Sequence, residues 1–190
     1  MGRMGNFNSS DFKKLQKELE KLKGETEGFQ EHCAKKLAQG FITKAVKRTP
    51  VGDYRKEITI VAKKDSKNHK KGDTYTKKIN PSGKMGGTLR RGWVSKTHEE
   101  AESGNGRPNM SDIESYVQAL TLKRVGNIST IEIVNPVEYA SYVENGHRTA
   151  NHKGWIQGKF MLKRSADEVQ AAAPRVIQAE TDKWLGGAFK

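Results

Sequence analysis

Residues 134–155 read VNPVEYASYVENGHRTANHKGW. An apolar run ends at an Asn-Pro pair, and two tyrosines, a glutamate, a glycine and two histidines follow it. We predict that the chain turns at Pro136 from a strand into a short helix, which packs on its own sheet and ends at Gly146. Proline suits the first position of a helix, and glycine suits the position after the last. The residues that share one face of this helix by their spacing are Val137, Tyr139, Ala140 and Val143.

The two histidines of this stretch, His147 and His152, are candidates for a metal site or a catalytic site. Paired metal-binding histidines on a helix lie about four residues apart, with a third ligand nearby. Here they lie five residues apart on a predicted loop, and no acidic residue lies between them. The chain also lacks the common nucleophile, phosphate-binding and dinucleotide-binding motifs. We therefore predict no metal, no cofactor and no enzymatic activity, with a histidine-dependent nuclease as the least favoured alternative.

The strand signals lie upstream of this stretch. Two alternating runs, 116–125 and 128–134, flank a Gly-Asn dipeptide, which accepts positive φ and closes tight hairpins. Two further segments are interpreted as strands: EITIVA at 57–62, and TLRRGWVSKTH at 88–98. The core candidates of the second segment are Leu89, Trp93 and Val94.

Helical periodicity dominates both ends of the chain. Apolar residues at steps of three and four predict a long N-terminal helix that stops before Pro50 and has a weak point near Gly24. Cys33 lies on the apolar face of this helix, so we expect a buried thiol. A second long helix follows Phe160, and Pro174 predicts a kink or a restart within it. The order predicts an α+β fold: an antiparallel sheet of three to four strands with the three helices packed on one face.

Length and composition suit a single domain over residues 1–190, with a modest core and polar excursions, because 34% of the residues are apolar and 30% are charged. A single cysteine cannot form an internal disulfide. No segment approaches the roughly 20 apolar residues that cross a bilayer, and the first residues lack the apolar part of a signal peptide. We therefore expect a soluble protein, made in the cytoplasm, with no membrane partner.

The net charge of +13 is concentrated in one part of the chain. Residues 44–96 contain 16 Lys and Arg against 4 Asp and Glu, whereas the rest of the chain contains 19 against 18. Within that part, 63–87 has few apolar residues and is interpreted as a long loop or hairpin extension. Such a segment attracts a phosphate backbone or an acidic protein surface, although a solvated, partly disordered loop is the alternative. Its lysines are Lys63, Lys64, Lys67, Lys70, Lys71, Lys77, Lys78 and Lys84.

Three pieces of the sequence occur in an order that is typical of one family. They are TPV at 49–51 with GGTLRRGWV at 86–94, IVNPVEYASYVENGHR at 133–148, and GKFMLKRSADE at 158–168. Together they resemble the bacteriophage tail-component family of long-tailed phages, small proteins of the neck or head-to-tail joining region. The resemblance covers roughly residues 10–187. The family pattern is matched most specifically at Asn135, Tyr139, Ala140, Val143, Glu144 and Gly146, with Pro50 and Phe160 as outer positions.

The chain departs from this family pattern in two places. In relatives the Thr-Pro-Val turn passes almost directly into a Thr-Gly-x-Leu-Arg strand, whereas here an insertion that includes residues 63–87 separates Pro50 from Leu89. The Pro-Phe pair of relatives is Lys159-Phe160 here.

The resemblance implies assembly rather than catalysis: a structural virion protein that forms a ring in the neck and completes the tail or joins it to the portal-side connector. We expect a six-fold or twelve-fold homo-oligomer. Its neighbours would be connector, head-closure or tail-terminator proteins, and genomic DNA in the lumen or an acidic ring would face the basic insertion. A nonspecific nucleic-acid-binding protein that uses residues 63–87 is the alternative function.

Four charged residues are candidates for contacts with a neighbouring subunit or partner. We expect Glu144 and Arg148 to lie together at a corner after the short helix. For Glu144, the alternative is that its carboxylate satisfies backbone or arginine groups of its own subunit. The other two candidates are Arg90 and Arg91.

Overall fold

The computed structural model describes residues 9–83, 86–126 and 128–188. In chain order the helices are α1 (Ser9–Arg48), α2 (Thr88–Arg91), α3 (His98–Ser103), α4 (Met110–Ala119), α5 (Ala140–Asn145) and α6 (Met161–Ala188). The strands are β1 (Lys56–Val61), β2 (Thr74–Ile79), β3 (Leu122–Val125), β4 (Ile128–Ile131), β5 (Gly146–Arg148) and β6 (Trp155–Gln157). A 3-10 turn, Gly92–Val94, follows α2 directly. The mixed helix and strand content agrees with the predicted class.

Helix α1 is continuous, so the predicted weak point near Gly24 is wrong. A glycine in a helix costs about 1 kcal/mol relative to alanine. Packed side chains on both sides of the glycine compensate for this cost. Leu22 is buried, and Phe29 stacks on Trp184 of α6 with ring centroids 4.5 Å apart. Cys33 is buried on the same helix, as predicted, and its burial raises the pKa of the thiol.

Helix α6 runs antiparallel to α1. Lys44 pairs with Glu168 at 2.8 Å near one end of the two helices, and His32 contacts Glu180 at 3.0 Å near the other. Pro174 lies inside α6, and the helix does not restart there. The proline is exposed, so water can satisfy the carbonyl that loses its helical partner.

The hydrophobic core lies where the C-terminal half of α1 meets the short helices. Trp93 is almost fully buried; its ring meets Phe41 edge-on, and its Nε1 donates to Thr49 Oγ1 at 2.7 Å. The Thr49 hydroxyl in turn donates to the Ala45 carbonyl at the end of α1, just before Pro50. The buried core residues are Ala38, Ile42, Ala45, Val46, Leu89, Trp93, Ala101, Ile113, Val117, Val137 and Met161.

The segment 88–98, predicted as a strand, forms α2 and the 3-10 turn instead. The predicted burial of Leu89 and Trp93 is confirmed, and Val94 is half-buried. The two buried positions are four residues apart, a spacing that suits one face of a helix as well as one face of a strand. Tertiary packing therefore selected the helical alternative.

The predicted sheet of three to four strands is wrong in extent. In the described residues, strands pair only as three separate antiparallel hairpins, β1–β2, β3–β4 and β5–β6. The core is built mainly by helices, so no broad sheet is needed to cover it. Gly126 of the predicted Gly-Asn turn follows β3 directly and has the expected positive φ of 58°. Its neighbour Asn127 lies outside the described residues, and the first part of the predicted run 116–125 belongs to α4.

None of the described helices is long and apolar enough to span a membrane.

Candidate functional site: the corner and the basic hairpin

The segment that leads into α5 is attached to α2 by Asn135. Its Nδ2 donates to the Leu89 carbonyl at 2.9 Å, and its Oδ1 accepts from the Val137 amide at 3.2 Å. The approach is so close that a Cβ on Gly92 would lie 2.3 Å from Asn135 Oδ1. Asn135 is therefore a structural link across a large sequence separation.

Helix α5 begins at Ala140, later than the predicted start at Pro136. Ala140 and Val143 pack against the helical core, so the prediction that this helix packs on its own sheet is wrong. Tyr139 is 39% exposed, and partial burial raises the pKa of its hydroxyl. Of the predicted face, Ala140 and Val143 pack inward on α5, Val137 is buried ahead of the helix, and Tyr139 is exposed.

Two glycines allow the backbone to cross itself after α5. Gly146 ends the helix, as predicted, with φ 85° and ψ 171°, and it is buried. A Cβ on Gly146 would lie 2.4 Å from the Ile156 carbonyl oxygen, and a Cβ on Gly158 would lie 2.3 Å from the Glu144 carbonyl oxygen. No real Cβ contact is this short, so both positions require glycine. We call the unit formed by residues 134–163 the corner.

The Glu144 carboxylate binds the N-terminus of α6. Its two oxygens accept from the amides of Leu162 at 2.8 Å and Lys163 at 3.0 Å. The first amides of a helix have no partner within the helix, and the helix dipole favours a negative charge there. The backbone reinforces the contact, since the Phe160 amide donates to the Glu144 carbonyl at 3.1 Å and the Lys159 amide donates to the Val143 carbonyl at 2.8 Å. Glu144 therefore binds backbone groups of its own subunit, which is the alternative that was considered for it from the sequence.

The other polar residues of the corner are more exposed. Arg148 lies at the end of β5, opposite Trp155 of β6, and it has no ion pair with any described residue. The His147 ring meets Tyr142 edge-on at 5.8 Å, and His152 lies in a turn with φ 57°. The described residues contain no group of three or more His, Cys, Asp or Glu side chains that could hold a metal ion.

The two arginines after the basic segment bind backbone carbonyls. Arg90 donates through Nε and Nη2 to the Thr49 carbonyl, at 3.1 and 2.6 Å. Arg91 is 5% exposed and therefore lies inside the subunit. This burial does not fit the prediction that Arg91 contacts a neighbouring subunit or partner. Its guanidinium donates to the carbonyls of Gly86, Ala101, Glu102 and Gly106 at distances from 2.7 to 3.5 Å. The sequence showed the cationic residue but not the loop that folds around it.

The corner also carries an apolar surface that the sequence analysis did not identify. A cleft of about 310 Å³ opens between α5, the segment before it and the start of α6. Its apolar lining includes Trp93, Ile133 and Met161. Large exposed apolar side chains lie on the same unit: Val134, Tyr142, Trp155, Ile156 and Leu162. Three of these side chains, Trp155, Ile156 and Leu162, are close together in sequence around β6 and the start of α6. Their spacing matches neither the helical nor the strand period.

The basic segment forms a hairpin with β1, which we call the basic hairpin (residues 56–79). Its register pairs Ile60 with Tyr75 and Ile58 with Lys77. Ile58, Ile60, Tyr75 and Ile79 are half-buried on one face, whereas the opposite face is exposed. Within the described residues, neither strand makes an extensive contact with any element other than its partner strand. The basic hairpin therefore projects from the helical body.

The tip of this hairpin (residues 62–73) is ordered by its two aspartates. Asp65 Oδ1 accepts from the Lys71 amide at 2.6 Å, and Asp73 Oδ2 accepts from the Lys70 amide at 2.7 Å. The His69 ring stacks on Tyr75 with centroids 4.1 Å apart. The carboxylates are thus bound to backbone groups and not to lysine side chains.

The lysines of the tip are exposed and unpaired. Lys63, Lys64, Lys67, Lys70 and Lys71 make no ion pair with any described residue, and the same holds for Lys77 on β2. Lys78 pairs with Glu57 across the two strands at 3.3 Å. Lys84 lies outside the described residues. The structure therefore brings most of the predicted basic residues onto one projecting element.

One part of the chain is similar to a known protein family. Residues 13–84 match a family model described as "Bacteriophage HK97-gp10, putative tail-component". The matched part includes most of α1, the turn at Pro50 and the basic hairpin, and it ends before the corner. No curated protein and no solved structure matches the chain. Over residues 13–84, the chain is therefore similar to a bacteriophage tail-component family, in agreement with the resemblance found in the sequence.

Proposed function

We propose that this protein is a structural virion component of a tailed bacteriophage, where it forms a homo-oligomeric ring in the neck. There it completes the tail or joins it to the portal-side connector. The observation that carries this proposal is the match of residues 13–84 to a bacteriophage tail-component family.

The apolar surface of the corner is the candidate contact between subunits. A closed ring repeats one heterologous interface, in which a surface of one copy meets a different surface of the next. The exposed apolar side chains around Trp155 and the cleft beside Leu162 would lose contact with water in such an interface. Outside residues 44–96 the positive and negative side chains nearly balance, so charge repulsion does not oppose the packing of one copy beside another.

The proposal is tested by measuring the mass of the purified protein, alone and with its connector and tail neighbours. We expect a ring, or a monomer that assembles when a neighbouring ring is added. A protein that stays monomeric with every virion neighbour and still binds DNA would overturn the proposal in favour of a free nucleic-acid-binding protein. Metal-dependent cleavage of DNA that is lost in His147→Ala and His152→Ala would instead indicate the nuclease.

The contact surface has a matched pair of variants. Ile156 on β6 and Ile128 on β4 are exposed isoleucines, 48% and 69% accessible, each on a two-stranded hairpin. Ile156→Lys should abolish assembly because it places a charge in an apolar interface, whereas Ile128→Lys should assemble normally. Equal assembly of the two variants would exclude the corner as the contact between subunits. It would not exclude the ring, which the mass measurement tests separately.

A further inference from the structure

We propose that the tip of the basic hairpin is a binding site for the phosphate backbone of DNA. The site consists of an ordered turn that carries unpaired cations. Its placement beside packaged DNA rests on the proposed function, but DNA binding by the tip does not depend on ring formation. The lysines that form the site are Lys63, Lys64, Lys67, Lys70 and Lys71.

The positive charges of the tip are available to a partner. In the body, many basic residues have acidic or carbonyl partners; Lys44 and Arg48, for example, share Glu168. The lysines of α1 that have no such partner are spread along a 40-residue helix and are not gathered in one turn. At the tip, the two nearby carboxylates accept from backbone amides, and no described carboxylate lies within ion-pair distance of the five lysines. Cations without partners attract an anionic polymer, and neutralising its phosphates releases the counterions condensed on it.

The backbone of the tip is ordered by its own hydrogen bonds. The Gly72 amide donates to the Ala62 carbonyl, the Ala62 amide donates to the Asp73 carbonyl, and both contacts are 2.8 Å long. The Ser66 amide also donates to the His69 carbonyl at 2.8 Å, so the turn is closed at two levels. A fixed turn presents its lysines together, and less conformational entropy is lost on binding than for a disordered basic loop.

The residue composition of the tip favours DNA over an acidic protein as the partner. The cores of protein interfaces are enriched in aromatic residues and arginine and depleted of lysine. The tip has the opposite composition, since it contains five lysines and no arginine, with Val61 beside it as an exposed apolar residue. Lysine binds phosphate as a point charge and reads no base sequence. A phosphate backbone is therefore the ligand that this surface fits best.

The same geometry limits the kind of binding. Single-strand binding proteins stack unpaired bases on open aromatic rings. At the tip, one face of the Tyr75 ring is covered by His69, and both residues are half-buried. We therefore expect binding without base preference and without a preference for single strands.

The test measures fluorescence anisotropy of a labelled, mixed-sequence duplex over a range of salt concentrations. In the tip variant, Lys63, Lys64, Lys67, Lys70 and Lys71 are changed to Gln. The matched control changes five exposed lysines of α1 to Gln, which removes the same charge: Lys13, Lys17, Lys23, Lys36 and Lys47. The unmodified protein should lose affinity steeply with salt, and the tip variant should reduce the salt slope by about four to five and the affinity by about 100-fold or more.

The control variant should bind DNA with nearly the affinity of the unmodified protein. Equal losses in both variants would mean that only net charge matters, and the proposal would be wrong. It would also be wrong if the tip variant kept its DNA affinity but no longer bound an acidic neighbouring virion protein. Circular dichroism should show that both variants are folded, and the mass of each shows whether assembly is retained, so a failure of DNA binding is distinguishable from a failure of the ring.

Discussion

The corner and the basic hairpin use charge in opposite ways. In the corner and the loops beside it, the charged groups of Glu144 and Arg91 bind backbone amides and carbonyls of the same chain. At the tip of the basic hairpin, aspartates hold the backbone, and the lysine side chains have no partner among the described residues. The comparison teaches that residue type and sequence position do not reveal whether a charge stabilises the subunit or serves a partner. The atoms that surround each charge decide this.

Replacement of Arg91 should have the largest effect on the body. Arg91→Lys removes the planar set of donors and leaves buried carbonyls without partners, so we expect a loss of about 3 kcal/mol in the free energy of unfolding. Urea denaturation measures this loss in the free energy of unfolding. Lys70→Gln at the hairpin tip is the control and should change stability by less than about 0.5 kcal/mol. Similar stabilities for the two variants would show that the Arg91 carbonyl contacts contribute little.

Alanine at Gly146 should break the backbone crossing of the corner. The new Cβ would collide with the Ile156 carbonyl, and φ 85° is unfavourable for alanine, so we expect a loss of about 2 kcal/mol or more. Gly28→Ala provides the control, because no atom lies within 4 Å of the position that its Cβ would occupy on α1. That variant should gain about 0.5–1 kcal/mol from helix propensity. In thermal unfolding, the melting temperature should fall in Gly146→Ala and rise in Gly28→Ala, relative to the unmodified protein.

Glu144→Gln should weaken the start of α6. The substitution keeps the size of the side chain but removes the negative charge that faces two amides, and we expect a loss of about 1 kcal/mol. Glu138→Gln, an exposed neighbour, should be close to neutral. Hydrogen exchange of the Leu162 and Lys163 amides should accelerate in the Glu144 variant alone. Unchanged protection of these amides would mean that the carboxylate does not cap the helix.

The aspartates of the hairpin should act locally. Asp65→Asn combined with Asp73→Asn should increase hydrogen exchange at the Lys70 and Lys71 amides and change global stability by less than about 0.5 kcal/mol, because the tip is remote from the core. Amide proton exchange, measured for each residue by NMR, distinguishes local opening of the tip from global unfolding. A cooperative loss of stability would contradict the view of the hairpin as a separate projection.

The smallest expected effect on stability comes from the Glu180 carboxylate, at the contact between α1 and α6. Hydrogen bonds from Lys183 and then His32 lower the pKa of Glu180 from 4.5 to about 2. Because the folded pKa is lowered, the contribution of this carboxylate to stability is present above about pH 4.5 and is lost as the pH falls towards 2. The melting temperatures of the unmodified protein and Glu180→Gln should differ slightly at pH 6 and converge at pH 2. A constant difference would exclude this titration as the cause.

Much of the local structure could be predicted from the sequence. The ends of α1 and α5 follow from Pro50 and Gly146, and the burial of Leu89 and Trp93 follows from their apolar character. The strand predicted at 88–98 failed because a spacing of four residues fits both a helix and a strand. The sheet failed for a related reason, since local alternation predicts hairpins but does not show whether separate hairpins join.

The candidate site was predictable in composition and not in geometry. The basic segment and the conspicuous 134–155 stretch were found from residue types alone. By contrast, the burial of Arg91 and the apolar cleft beside Leu162 depend on loops that are distant in sequence. Asn135 illustrates the limit, because its partner is the carbonyl of Leu89, 46 residues earlier.

The sequence by itself determined where the long helices lie, where Pro50 ends α1 and Gly146 ends the short α5, and which segment carries the excess of positive charge. These properties depend on local periodicity, backbone preference and composition. Tertiary structure alone decided that Glu144 caps a helix, that Arg91 is buried, and that the lysines of the hairpin tip have no partner among the described residues. The physical reason is that a charge is satisfied by whichever groups the folded chain brings within hydrogen-bond distance, and most of those groups are far away in sequence.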